Sequence, residues 1–296
     1  MSKEPPPASL IVNADDFGYS QSVSRGILDA ARKGVVTATG VLANSPYFDE
    51  LAKELLAVGG VDTGVHLNLT GWPPITGRLA DLLERSKGVV SGNKNRVALS
   101  ILTGRIDVSL VEREWDAQIL RCLDAGIRVW FLNSHEHLHM LPPLFRLIHR
   151  LADRYTIPYI RYPSAEWFGF PKAESLTREV TLQVLDWINR GGSRRPGPVL
   201  LGVSRSGKLD LAYLERRLAT LRKGGVYELM CHPGYAVTDE SFDRRQIAYH
   251  DWEGELNSLF RAGDQGLFHS GNVRLIGFRD LEGPLAPQSG RCGGNH

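Results

Sequence analysis

The chain has little cysteine and no strong charge bias, and both shortages narrow what it can be. Three cysteines (Cys122, Cys231 and Cys292) in 296 residues are an odd, widely spaced set, which argues against a disulfide framework. A formal net charge of +2 lacks the basic excess of a protein that holds nucleic acid or an acidic membrane surface. No apolar run approaches the length of a membrane span, and the opening Met-Ser-Lys-Glu-Pro-Pro-Pro-Ala has no apolar signal core. No internal repeat is visible. These absences point to a cytoplasmic protein with no nucleic-acid partner and no membrane span. The length suits one large α/β domain over residues 1–281, with a loose Gly- and Pro-rich tail over 282–296. The oligomeric state stays open, with a homodimer the assembly to test.

What the chain does have is five short apolar runs that each end in polar or charged residues: 10–16, 61–66, 127–135, 157–161 and 226–232. Each reads as a buried strand. Further strands are expected over 35–43, 199–203 and 273–278. Helical spacing fills the intervals. A helix over 22–33 is stopped by Gly34, one is opened by Ser45-Pro46 with proline at its first position, and one is capped by Ser109 with Glu112. Others are expected over 144–155, 177–189, 209–222 and 246–260. Seven or eight β/α units in one register imply a parallel sheet with right-handed crossovers. In an α/β barrel the strand C-termini converge on one mouth, so polar residues there suggest catalysis. Residues 71–107, rich in Gly, Pro, Lys and Arg, are too long for a plain connection and read as a lid.

Asp15 and Asp16 are adjacent carboxylates ending a buried strand, so a cation or proton must offset their repulsion. The plainer role, an N-cap pair, is weakened by Ser20, an equally good cap. Alternation over 61–69 sets His66 on the face opposite Val65 and Leu67. His135-Glu136-His137-Leu138-His139 matches the zincin pattern His-Glu-x-x-His, but that chemistry needs a helix. These residues instead follow an apolar strand and precede Pro142-Pro143. His135 alone is therefore the expected ligand, with His137 and His139 lining the pocket or orienting it.

Asp16, His66 and His135 together have the composition of a catalytic metal site, suited to Zn²⁺ with Mg²⁺ or Mn²⁺ also open. His232 ends another strand, as a general acid would, while alternation turns Cys231 into the core. Arg161 also ends a strand and is placed to hold Asp15 ionised; a surface arginine is the plain alternative. Trp72 and Trp167 lie in mouth loops, where an exposed ring stacks on a sugar, although buried packing is the commoner fate of Trp. Gly202 to Lys208 fits the phosphate-loop spacing Gly-x4-Gly-Lys. Leu209 stands where the magnesium-holding hydroxyl belongs, so this reads as a chance match.

Segments 10–18, 64–70, 134–139 and 230–234 together resemble, in order, the YdjC/ChbG-type carbohydrate deacetylases, which include the hopanoid-associated HpnK branch. The resemblance implies a distorted (β/α) barrel of the NodB/glycoside hydrolase-deacetylase kind. It implies hydrolysis of an N-acetyl group on an amino sugar, within an oligosaccharide or a glycolipid. It also implies one divalent metal (Mg²⁺ or Zn²⁺) on Asp16, His66 and His135, with Asp15 as base and His232 as acid. Water would attack the acetamide carbonyl once Asp15 has taken its proton, and His232 would protonate the departing amine. One position departs: Asn133 stands where the family usually has Asp before Ser-His. An Asn accepts hydrogen bonds without charge, so the support behind His135, and with it the substrate, is expected to differ. Three other readings stay open: another metal-dependent amide or ester hydrolase on the same site, a phosphate-loop nucleotide enzyme, and a catalytically silent sugar-binding barrel.

Overall fold

A computed structural model describes residues 4–85, 93–166, 173–192, 194–237 and 244–281. Its strands are β1 (Ala8–Phe17), β2 (Ala38–Val41), β3 (Asp62–Leu67), β4 (Val129–Ser134), β5 (Tyr159–Ile160), β6 (Val199–Leu201), β7 (Val226–Cys231) and β8 (Val273–Leu275). Its α-helices are α1 (Gln21–Arg32), α2 (Phe48–Val58), α3 (Gly77–Arg85), α4 (Lys94–Leu102), α5 (Val108–Asp124), α6 (Pro142–Arg154), α7 (Ala173–Ile188), α8 (Leu211–Ala219), α9 (Arg244–Tyr249) and α10 (Trp252–Asp264).

Every strand pairing is parallel, and the main path runs β5-β4-β3-β2-β1-β7-β6. β8 pairs with Ala8–Leu10 of β1, on the edge that β2 takes farther along at Asn13 to Phe17. Among the described residues β5 and β6 do not pair, so the sheet curls into a barrel without closing. This is the distorted parallel barrel that the strand pattern and the resemblance led us to expect.

Boundaries depart from expectation where tertiary contacts outrank local pattern. Pro46 does not open α2, because Ser45 Oγ donates to the Gly18 carbonyl and accepts from Tyr47 N, so the helix starts at Phe48. α5 is capped by Asp107, which accepts from Ser109 N, while Glu112 instead pairs with Arg150 and Arg154 of α6. The helix expected over 246–260 is split in two, with Asp251 capping α10.

Alternation along the strands divides the barrel interior into two layers. On β1, Leu10, Val12 and Ala14 join the core beneath the helices, whereas Ile11 faces inward. The lower interior layer is apolar: Ile11, Ala38, Phe131, Tyr159, Ile276 and Phe278, with Phe131 stacked on Phe278 at 4.5 Å. Gly64 makes room for it, since a Cβ there would fall 2.5 Å from the Phe131 ring. Two residues farther along the same strands the layer is polar, built from Asn13, Asp15, Asn133, Arg161, His66 and Glu228, all buried.

The 71–107 segment carries α3 and α4 among its described residues. Its start is anchored by the buried Glu114 of α5, which accepts from Ile75 N at 2.9 Å and Thr76 N at 2.8 Å. Farther along, Lys94 Nζ lies 3.9 Å from Glu136 in the turn after β4, at the same end of the barrel as His66. No described helix is long and apolar enough to cross a membrane.

Candidate metal centre

Strict alternation would send Asp15 and Asp16 to opposite faces, yet both reach one site. Asp16 has φ 68°, and the β1–β2 register slips between Ala14 and Phe17. The resulting bulge turns the Asp16 carboxylate toward the mouth. A non-glycine residue in this conformation costs about 1–3 kcal/mol, a strain that clusters at functional sites.

Asp16 Oδ1 lies 2.9 Å from His135 Nδ1 and 3.2 Å from His66 Nε2. The three ligand atoms are within 4.8 Å of one another, and all three residues are buried. Donor separations of roughly 3 Å suit two ligands that share one cation at about 2.1 Å. The hydrogen bonding points the same way. His66 Nδ1 is 2.7 Å from Asn133 Oδ1, and Asn133 Nδ2 donates to Asp15 Oδ1 at 3.1 Å. Turning the amide round would set its oxygen against the Asp15 carboxylate, so this orientation is the consistent one. His66 therefore donates from Nδ1 and presents the Nε2 lone pair to an Asp16 oxygen. Two acceptors at that distance need a cation between them or a second proton on the ring. A divalent metal fits this donor set. Burial works against the Asp16 carboxylate, but His135 and His66 hold it well below the usual range. Burial likewise opposes a charged His135, yet Asp16 raises it to about 9.

Asn133 thus backs His66 rather than His135, a correction to the sequence expectation. His66 and Asn133 are directly paired in the β3–β4 register, whereas His135 lies beyond the strand end.

Arg161 clamps the other carboxylate. Its Nη1 and Nη2 donate to Asp15 at 2.5 and 2.9 Å, and its Nε and Nη2 donate to Glu228 Oε1 at 2.9 and 2.6 Å. Glu228 also accepts from Asn13 Nδ2 at 2.7 Å. At 3% exposure, Arg161 is no surface arginine. Burial pushes Asp15 up, but Arg161 and His66 more than offset it and hold the carboxyl below its usual value. Sequence reasoning missed Glu228 and Asn13. The signal was present: Glu228 shares strand parity with His232, and Asn13 with Asp15.

His232 is buried, its backbone N–H donates to Glu255 Oε2 at 2.5 Å, and its ring Nδ1 lies 3.9 Å from Glu255 Oε1. Burial lowers the imidazole below its ordinary value, opposed by Asp16 and Asp15. Burial also raises Glu255, to about 8. His250 packs its ring 4.9 Å from His232 and stacks on Trp252. Neither Glu255 nor His250 was legible, because helical spacing does not say which strand end a helix meets. Cys231 turns away into the core as expected, with its Sγ 3.5 Å from the Asn13 carbonyl.

The turn after β4 removes the zincin arrangement. Glu136 and His137 have φ 56° and 58°, so no continuous α-helix sets His135 and His139 on one face. His139 is fully buried; its Nε2–H donates to the Arg161 carbonyl at 2.9 Å, and its Nδ1 accepts from the Ser134 hydroxyl at 2.7 Å. With both nitrogens engaged, His139 ties the turn to β5 and does not line a substrate pocket, contrary to one of its two expected roles. His137 is half-buried beside it, and burial and then Arg161 keep its ring neutral. Trp72 is half-buried, edge-on to Tyr47, and its carbonyl accepts from Asn44 Nδ2. Trp167 lies outside the described residues.

The phosphate-loop match has no free cradle. Glu166 accepts from Gly202 N and Ser204 Oγ, while the amides of Arg205, Ser206 and Lys208 bond to carbonyls within the loop. A carboxylate already sits where an anion would have to bind.

A family model described as YdjC-like protein matches residues 9–262. A carbohydrate deacetylase of Listeria monocytogenes serotype 4a (strain HCC23) is 37% identical over 275 residues, spanning 92% of this chain and 99% of that protein. A carbohydrate deacetylase of Brevibacillus brevis is 29% identical over 280 residues, with the same 92% and 99% coverage. The solved structure of an Enterococcus faecalis V583 protein, proposed to cleave cellobiose phosphate, matches with a TM-score of 0.70. It covers 92% of this chain and 98% of that one at 23% identity, and so speaks for the fold alone. With the family match running from β1 into α10, this chain belongs to the YdjC-like family.

Proposed function

We propose that the chain is a carbohydrate deacetylase that hydrolyses the N-acetyl group of an amino sugar, on an oligosaccharide or a glycolipid, with one divalent metal. The observation that carries this reading is the meeting of an ionised, Arg161-clamped Asp15 with the Asp16–His66–His135 donor set at the barrel mouth. A metal held there would polarise the acyl oxygen and acidify water. Asp15 takes the proton from the attacking water, with its plane fixed by the two Arg161 bonds. His232 delivers a proton to the departing amine, which would otherwise leave as a poor anion. Trp72 and the other described residues of the 71–107 segment form one wall of the cleft. The activity for which the relatives are named agrees with this chemistry.

Another amide or an ester could be hydrolysed by the same groups. A silent sugar-binding barrel has no use for a strained Asp16 and a buried donor set. Acetate release from a panel of N-acetylated saccharides and glycolipids, with metals varied, tests the reading. Acetate should appear only with metal and vanish in Asp16→Ala. Saccharide binding with no acetate under any metal would favour the silent barrel.

The free, buried Cys122 and Cys231 suit the reduced cytoplasm. A homodimer is supported by the outer face of α7, where Leu176, Val180, Val184 and Trp187 recur at helical spacing and Trp187 is 67% exposed. Light scattering should show a dimer that Trp187→Glu dissociates; a monomeric wild type ends that idea.

A further inference from the structure

We infer that Asn133 is a positioning residue with two separable tasks, setting the His66 tautomer through Oδ1 and holding Asp15 through Nδ2. The inference rests on the deacetylase reading and concerns how this chain's own residues prepare that site.

Asn133 is fully buried between the two groups it serves. Its Oδ1 accepts from His66 Nδ1 at 2.7 Å, which keeps the Nε2 lone pair for a cation. Its Nδ2 donates to Asp15 Oδ1 at 3.1 Å, the oxygen that Arg161 Nη2 also holds. An aspartate at this place could perform the first task but not the second. It would accept from His66 while setting a third carboxylate against Asp15.

Charge balance gives a second reason for an amide. Asp15, Asp16 and Glu228 bring three negative charges to the buried layer, and Arg161 brings one positive charge. The two left over match one divalent cation. A carboxylate at 133 would keep the His66 hydrogen bond but add a negative charge that no further cation among the described residues of this layer offsets, and an uncompensated buried charge is costly. Space is equally tight. The pair fits because residue 40 is glycine: a Cβ there would come 3.2 Å from His66 Cβ and 3.4 Å from Asn133 Oδ1.

The test compares Asn133→Ala with Asn133→Asp in two measurements, Zn²⁺ affinity by calorimetry and steady-state acetate release. Asn133→Ala should lose both functions. Its Zn²⁺ Kd should weaken about 10–100-fold, as removing such support typically does, and its kcat should fall with KM little changed. Asn133→Asp should recover Zn²⁺ affinity, because the carboxylate still accepts from His66, while kcat stays at least about tenfold low. Wild-type Zn²⁺ affinity in Asn133→Ala, or wild-type kcat in Asn133→Asp, overturns the inference. Should Asn133→Ala fail to fold, the near-isosteric Asn133→Asp decides alone by the same split. Asp15→Asn separates the two levels. If it is inactive while both Asn133 variants behave as wild type, only this inference fails. If the wild type releases no acetate from any N-acetylated saccharide or glycolipid under any metal, the deacetylase reading fails, and Zn²⁺ affinity still reports on the Asn133–His66 contact.

Discussion

The two layers of the barrel interior are made by the same strands and lie two residues apart. Along β4, Phe131 gives way to Asn133; along β5 and its end, Tyr159 gives way to Arg161; along β1, Ile11 gives way to Asn13 and Asp15. The lower layer needs no polar partner and gains from dense aromatic packing, such as the Phe131–Phe278 stack. In the upper layer every charge must be answered. Arg161 serves two carboxylates, while Asp16 is left facing two imidazoles. An apolar floor therefore holds a polar layer in an arrangement that mutual repulsion would otherwise scatter. The step between them is about 7 Å, one strand repeat.

The separation breaks most completely if the ligands prove structural as well. Asp16→Ala, His66→Ala and His135→Ala should each abolish metal occupancy and acetate release while thermal unfolding stays cooperative. Full metal content in His135→Ala, with loss in His139→Ala, would instead mean that the zincin pair binds after all.

Proton transfer comes next in size. Asp15→Asn should keep the metal, lose about 10²–10⁴-fold in turnover and remove the acidic limb of the pH–rate profile. His232→Ala should spare metal binding and remove the basic limb. Because burial lowers His232, that limb is expected on the acid side of the ordinary value of 6.5. Near wild-type turnover in Asp15→Asn would assign the base elsewhere.

The floor itself is probed by Phe131→Ala, which should cost about 3–5 kcal/mol of stability. The folded fraction should still bind metal with close to normal affinity. A collapse of affinity together with stability would show that the layers act as one unit.

The smallest effect concerns Glu255. Burial raises its carboxyl from 4.5 to about 8 in the fold, so folding favours the protonated form. Its contribution is fully present below 4.5 and is lost as pH rises through about 8. Wild-type urea midpoints should fall between pH 5 and pH 9 more steeply than those of Glu255→Gln. Parallel pH curves would refute the assignment.

Much of this was legible residue by residue. The period of two placed Asp15 and His66 inward and Cys231 outward, because side chains alternate by covalent geometry alone. Apolar runs separated by helical spacing made the parallel barrel readable, since burial of both sheet faces demands that pattern. Other features depend on which elements become neighbours. The bulge that swings Asp16 to the mouth breaks the alternation that sequence reasoning relies on. The β3–β4 register set Asn133 against His66, the curl of the sheet brought Glu228 of β7 to Arg161 beyond β5, and packing of α10 put Glu255 beneath His232. Asp16 apart, the sequence by itself determined which strand residues face the interior and at which end of the barrel. Only the tertiary structure decided their partners, because hydrogen bonds and ion pairs act within a few ångströms between residues from 23 to 215 positions apart in the chain.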